Sequence, residues 1–277
     1  MTFSYAVTNR LTGLTASAFS VSTGSGPSGA TELYLNDGRM DRQYALTGGT
    51  TTEAIDIDLG SAQSVSAVAV LNHNLVALGA PTITVTAADN AGFSIGVVTP
   101  KAATTLNTAE PKHKDHVLQF GAVSKRYWRI TFTHSTAAAL RIGELFLASS
   151  NTQLSRYMID GSGESESFYS VTNKLLYGET RTTFLAGPLR SKTMRFQDWN
   201  DTQLNQLRAM WAATKGMATP LLFISSYEAT GTAAAIAEQE CIFGRVMVDD
   251  FRWTYTDALY RQPPEIVIAS LGREAGA

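Results

Sequence analysis

His113 and His116, with Asp115 between them, bring together imidazole nitrogens and a carboxylate, the donor types a transition metal takes. They sit in a loop with Pro111, Lys112 and Lys114 and lack the flanking ligands of a closed site, so a surface loop is expected. Asp37 and Asp41 could supply oxygens to a calcium ion, or simply form a solvated turn. The pairs Asp56/Asp58 and Asp249/Asp250 meet the bare requirement of glycoside hydrolysis, two carboxyl groups about 5–10 Å apart. Both pairs lie on or beside predicted strands with outward positions, where exposed carboxylates are the ordinary outcome. No Gly-x-Ser-x-Gly elbow, His-Glu-x-x-His, P-loop or Rossmann glycine pattern occurs, and the run at residues 161–166 is Gly-rich and acidic, the wrong sign for cradling phosphate. The expectation is a protein with no catalytic residues, no metal and no cofactor.

Two sets of residues point to binding instead. Tyr34 and Tyr44 flank the turn at Asp37, and aromatics beside a carboxylate can stack on a sugar and hydrogen-bond it. The plainer alternative is that the rings cover the end of a core. Arg195, Trp199, Arg245, Trp253, Tyr255 and Arg261 combine planar guanidinium groups with aromatics, the types enriched where subunits meet.

The elements that must position these residues are mostly strands. From Glu53 onward, short Val-, Ile- and Thr-rich runs alternate with period 2. Ile55, Ile57 and Leu59 would face inward, with Asp56 and Asp58 outward. Val65, Ala67 and Ala69 alternate with Val68 and Val70, the pattern of a strand buried on both faces. Ile83, Val85 and Ala87 share a face, as do Trp128, Ile130 and Phe132, and a last strand runs from Ile142 to Ala148. No amphipathic helix interrupts the series, which implies a sandwich or jelly roll over residues 1–150. His73, just past the strand ending at Val70, is placed to satisfy backbone groups at the sandwich end.

A polar break at Ser149-Ser150-Asn151-Thr152 opens a second domain, residues 151–277. Strands are expected at residues 155–160, 165–172, 190–196, 221–224, 241–248 and 265–269, with an aromatic face at Phe251, Trp253 and Tyr255. One helix is predicted over about 201–214, with Asn200 as N-cap, Leu204, Leu207 and Trp211 on its apolar face, and Gly216 just past its end. The fold class is therefore mainly β, a jelly-roll sandwich followed by a β-rich α+β domain with one main helix. Residues 5–11 and 169–175 echo one another, YAVTNRL against YSVTNKL, over less than a supersecondary unit.

The order Asn36-Asp37-Gly38, residues 55–60, residues 68–74, Tyr127-Trp128-Arg129-Ile130 and Arg141-Ile142-Gly143-Glu144-Leu145 resembles the discoidin or galactose-binding-like domain. That resemblance implies a scaffold whose ligands bind in variable end loops. The helix ending at Lys215-Gly216, the run Pro220-Leu221-Leu222-Phe223-Ile224 and Phe243-Gly244-Arg245-Val246 resemble the belt-type domain of phage distal tail and minor tail proteins over residues 165–270. It implies a structural virion protein at the tail tip, joining the tail tube to the tip hub and receptor-binding apparatus as a homo-oligomeric ring, with a hexamer expected. The alternative is a carbohydrate-binding module that recognises a host-surface glycan.

Composition narrows the partners. The formal net charge is −2, so no general attraction to nucleic acid or anionic membranes is built in. Charged residues make up 17% of the chain, against about 25% in a typical soluble domain, which suggests surface covered by other subunits. No stretch approaches the ~18 apolar residues of a membrane span, and the N-terminal residues lack the pattern of a secretory signal, so assembly in the bacterial cytoplasm is expected. Cys241 is the only cysteine, which excludes an intrachain disulfide.

Overall fold

The computed structural model describes residues 2–23, 32–40, 42–46, 49–106, 115–149, 152–154, 163–174, 180–195, 201–226, 241–247, 251–252, 254–255, 261–262 and 265–270. The chain starts with β1 (Thr2–Ala6). It continues through β2 (Phe19–Thr23), β3 (Tyr44–Leu46), β4 (Thr52–Leu71), β5 (Thr82–Ala88), β6 (Val98–Thr105), β7 (His116–Thr133), β8 (Leu140–Ile142) and β9 (Glu144–Ala148). Strands β4 and β7, of 20 and 18 residues, are far longer than the usual ~5–6. They pair in two stretches, 52–58 against 127–133 and 63–70 against 116–125, with the register broken between Asp58 and Gln63. Gly60 lies in that break at φ 76, where a side chain would be strained, and its N–H donates to Asp58 Oδ1 at 2.8 Å.

The first stretch carries β2 on one side and β5 then β6 on the other, while β9 pairs with the second stretch of β4. Alternation turns Ile55, Ile57, Trp128, Ile130 and Phe132 from the first stretch and Val65, Val68, Val70, Leu118, Leu145 and Leu147 from the second into one core. The result is the expected sandwich, made by two long strands that belong to both layers. A register irregularity between Val65 and Ala67 puts Val65 on the side of Val68 and Val70, not on that of Ala67 and Ala69.

Strand β1 lies outside the sandwich. It is hydrogen-bonded to β10 (Thr152–Leu154) and β13 (Leu221–Ser226), not to any sandwich strand. With β11 (Gly163–Lys174), β12 (Thr180–Met194), β14 (Cys241–Val246) and a last strand, residues 266–270, it forms a seven-stranded antiparallel sheet. Two short paired strands, β15 (Thr254–Tyr255) and β16 (Arg261–Gln262), come between, so the last strand is β17 (Ile266–Ser270). The sheet order is β10-β1-β13-β14-β17-β12-β11. The sandwich is thus inserted between the first two sequential strands of this second body. Asn9 ties the two crossing segments together. Its side chain donates to Leu145 O at 3.0 Å and accepts from Leu147 N at 3.0 Å and Leu11 N at 3.1 Å.

Helix α1 (Asp201–Ala213) covers one face of this sheet. Leu204, Leu207 and Met210 pack with Leu221, Phe223, Ile242, Ile266 and Ile268. The helix stops at Gly216, whose φ of 66 lets its N–H reach Trp211 O at 3.0 Å. The other face of the sheet meets the sandwich: Leu222, Ile224, Cys241 and Phe243 pack on Ala67, Ala69, Leu71, Val117 and Phe146. Helix, sheet and sandwich are therefore stacked layers. The continuous apolar run of β13 reflects burial on both sides. The expected strand at 155–160, the N-cap Asn200 and the aromatic Trp253 lie outside the described residues.

Candidate functional site

The outward side of the first β4/β7 stretch carries charge. Asp56 and Arg129 are direct cross-strand partners, and Asp58 faces Tyr127. Arg129 grips Asp56 with two parallel bonds, Nε to Oδ1 at 2.6 Å and Nη2 to Oδ2 at 2.7 Å. Arg126 grips Asp58 in the same way at 2.7 and 2.8 Å. The hydrogen bonds from Arg126 hold the Asp58 carboxyl below its usual range, and Asp56 in turn raises the Arg129 guanidinium. A third pair, Lys125 with Asp89 at 2.7 Å, extends the row.

Above this row lies the β5–β6 turn, built by Asn90. Its Oδ1 accepts from the backbone of Ser94 and Ile95 at 3.0 and 2.9 Å, and its Nδ2 donates to Ser94 Oγ at 2.9 Å. The turn holds Phe93 at φ 50, a left-handed conformation that bulky residues rarely adopt. Its ring lies 4.1 Å from the Arg129 guanidinium. A side chain at Gly96, φ 58, would collide with Asp89 and Lys125, so this turn requires glycine there. Between turn and sheet is an open cleft of about 220 Å³, lined by Ser20, Asp56, Asp58, Ala91, Phe93 and Tyr127 among others.

Asp56 and Asp58 therefore face outward as expected, but each is locked by a guanidinium and not held free for proton transfer. The cleft is lined by two aromatic rings and by the carboxylates of the two ion pairs. The sequence pattern does not single out Phe93, Tyr127 or the arginines, because their pairing depends on the β4/β7 register.

The proposed sugar contacts are placed differently. Tyr44 is 1% exposed and belongs to the sandwich core, so its ring offers no face to a ligand. Tyr34 is half-buried against the same core, with Arg42 5.5 Å over its ring. Asp37 accepts from Arg39 N at 2.8 Å in a tight turn. These residues cover the end of the core, the plainer of the two readings.

That end also holds a buried polar cluster. His116, expected on a surface loop, is 2% exposed at the start of β7. His73 Nδ1 accepts from Leu75 N at 3.2 Å, so its Nε2–H donates to His116 Nδ1 at 2.8 Å. The backbone-satisfying role read for His73 is thus met. Asn72, at φ 48, donates from its backbone to Asp115 Oδ1 at 2.8 Å and from its side chain to Met40 O. Glu144 accepts from Gly38 N at 2.9 Å, and burial pushes its carboxyl up to about 9. Among the described residues, no group of three or more His, Cys, Asp or Glu side chains is placed to hold a metal. His113 and Asp41 lie outside them.

Of the residues read as a subunit interface, Arg195 pairs with the exposed Glu265, and Arg245 donates to Met217 O at 3.2 Å. Tyr255 and Arg261 are cross-strand partners in β15 and β16. Trp199 and Trp253 lie outside the described residues.

No protein-family model matches the sequence, and no curated protein matches it. Solved structures are similar to part of the chain. Chitosan-binding module 1 from a chitosanase/glucanase of Paenibacillus sp. IK-5 is 20% identical, covering 50% of this chain and 98% of that chain with a TM-score of 0.40. The lectin domain of lectinolysin complexed with Lewis B antigen is 18% identical, covering 52% of this chain and 99% of that chain, also at a TM-score of 0.40.

Proposed function

We propose that this protein binds a glycan through the outer-face cleft of its sandwich, without doing chemistry on it. The observation that carries the reading is Phe93, held in a strained turn with its ring on Arg129, beside Tyr127 and two locked Asp–Arg pairs. A sugar presents an apolar ring face and polar hydroxyl edges, and this cleft offers aromatic surface next to oriented donors and acceptors. The rigid β4/β7 pairing preorganises the groups, so little ordering cost falls on binding. A glycan array probed with the full chain and with Phe93→Ala tests it. Hits that vanish in the variant, with an unchanged circular dichroism spectrum, are expected; an array without hits, or hits that persist in Phe93→Ala, would sink the reading.

A second reading concerns the whole chain. Its helix-and-sheet body resembles the belt-type domain of phage tail-tip proteins, which makes the chain a structural virion protein forming a ring between tail tube and tip apparatus. The insertion of the sandwich into that body favours it, because two chain crossings and a shared core hold a binding module rigidly on a ring subunit. The two readings are compatible, with a host-surface carbohydrate as the outer partner. Native mass spectrometry of the purified chain should give a closed ring; a protein that stays monomeric at all concentrations, and is missing from particles, contradicts it.

A further inference from the structure

Taking the glycan reading of the cleft as its basis, we infer that the ligand is a neutral sugar donating from two hydroxyls, and not a uronate, sialylated or sulfated glycan. The argument is a count of hydrogen-bonding positions. An ionised carboxylate has about four lone-pair sites, and a guanidinium has five N–H donors. Asp56 accepts from Arg129 Nε and Ser22 Oγ on Oδ1 and from Arg129 Nη2 on Oδ2. Asp58 accepts from Arg126 Nε and Gly60 N on Oδ1 and from Arg126 Nη2 on Oδ2. Each carboxylate thus keeps one acceptor position, on Oδ2, and the two carboxylates line the cleft while their arginines do not.

Two lining acceptors, two residues apart on β4, match a ligand that donates from two hydroxyls. One hydroxyl donates to Asp56 Oδ2 and a second to Asp58 Oδ2. Phe93 and Tyr127 then cover the sugar's apolar face.

An anionic sugar fails on the same count. The bidentate face of each arginine is already occupied by an aspartate, and an incoming carboxylate would have to approach that aspartate's remaining lone pair. Among the described lining residues, both charged side chains are carboxylates, each in an internal ion pair, so no net positive field draws an anion in.

The experiment is calorimetric titration of the full chain with cellotriose, mannotriose and galactotriose on one side and trigalacturonate and sialyllactose on the other. Titrations are repeated at about 0.1 M and about 1 M salt, a change that shortens the Debye length from about 10 Å to about 3 Å. A neutral trisaccharide is expected to bind with an affinity unmoved by salt. Phe93→Ala should weaken it about tenfold, a loss of about 1.4 kcal/mol, while Phe93→Tyr, which keeps the ring, should retain it. If an acidic sugar binds better, weakens with salt and is lost in Phe93→Ala, the charge class is wrong while the cleft stands. If no sugar of either class binds, or Phe93→Ala binds as well as the parent, both the class and the glycan reading fall.

Discussion

Strands β4 and β7 run through both layers of the sandwich, and the outward sides of their two stretches could hardly differ more. The first stretch sets Asp56, Asp58, Arg126 and Arg129 toward solvent. The second sets Ala67, Ala69, Leu71 and Val117 outward, where they are covered by Leu222, Ile224, Cys241 and Phe243 of the second body. One pair of strands, with its register broken at Gly60, thus carries a charged outer surface and an internal interface. The charged face lies on one layer while the other layer is anchored by a shared core.

The strongest way to break that comparison is to empty the anchored side. Phe146 is 1% exposed and lies edge-on to Phe243 with centroids 5.7 Å apart. Phe146→Ala removes a buried aromatic from both partners and should cost about 3–5 kcal/mol of stability. Urea denaturation of the variant should keep a single cooperative transition at a lower midpoint. Two separate transitions, or a loss under about 1 kcal/mol, would mean that the sandwich and the second body fold independently and that the covered face is incidental.

The covered stretch is legible in the residue pattern alone. Two interleaved apolar sets over residues 65–70 announce burial on both faces, and Ile55, Ile57 and Leu59 against Asp56 and Asp58 announce a half-exposed strand. What covers the second face is not legible, because the run at residues 221–224 lies about 150 residues further on and gives no sign of its partner. The same limit hides the place of β1: its pairing with residues 222–226 is a long-range choice that alternation does not specify. The cleft is hidden for a related reason. Asp56 and Asp58 are visible as outward acids, yet only the register of β4 against β7 reveals their arginines, and Phe93 looks like one more loop aromatic. Tyr44 fails as a surface candidate because its strand turns the ring inward on pairing with β8.

Acids of the two layers should also titrate oppositely, which sharpens the comparison. Glu144 pairs with Leu71 at the end of the covered layer, 2% exposed. Burial raises its carboxyl to about 9, the Gly38 N–H opposes this, and the charge of Asp37 adds to it. Between the unfolded value near 4.5 and about 9, the folded chain binds the extra proton. Its contribution is fully present below pH ~4.5 and is lost as pH rises, at up to about 1.4 kcal/mol per pH unit. Glu144→Gln should therefore be about neutral at pH 5 and increasingly stabilising toward pH 9. A parent and variant with parallel stability profiles across that range would show that the carboxyl is not held protonated.

The solvent-facing acid should give the smallest effect and the opposite sign. Arg126 depresses the Asp58 carboxyl, so its contribution is present above the unfolded value and is lost as pH falls through the folded one, in the acid range below about 3.8. Both partners are substantially exposed, with 42% and 33% of their side-chain surface accessible, so solvent screens the pair and it adds little to stability. Asp58→Asn should shift the neutral-pH denaturation midpoint barely, and asparagine can still accept from Gly60. Its consequence should lie in recognition: the variant leaves the Arg126 fork open, and an acidic trisaccharide rejected by the parent should begin to bind, weakening with added salt. A loss of stability comparable to that of Phe146→Ala would erase the distinction between the two stretches, because the charge row would then be holding the fold together as firmly as the buried interface.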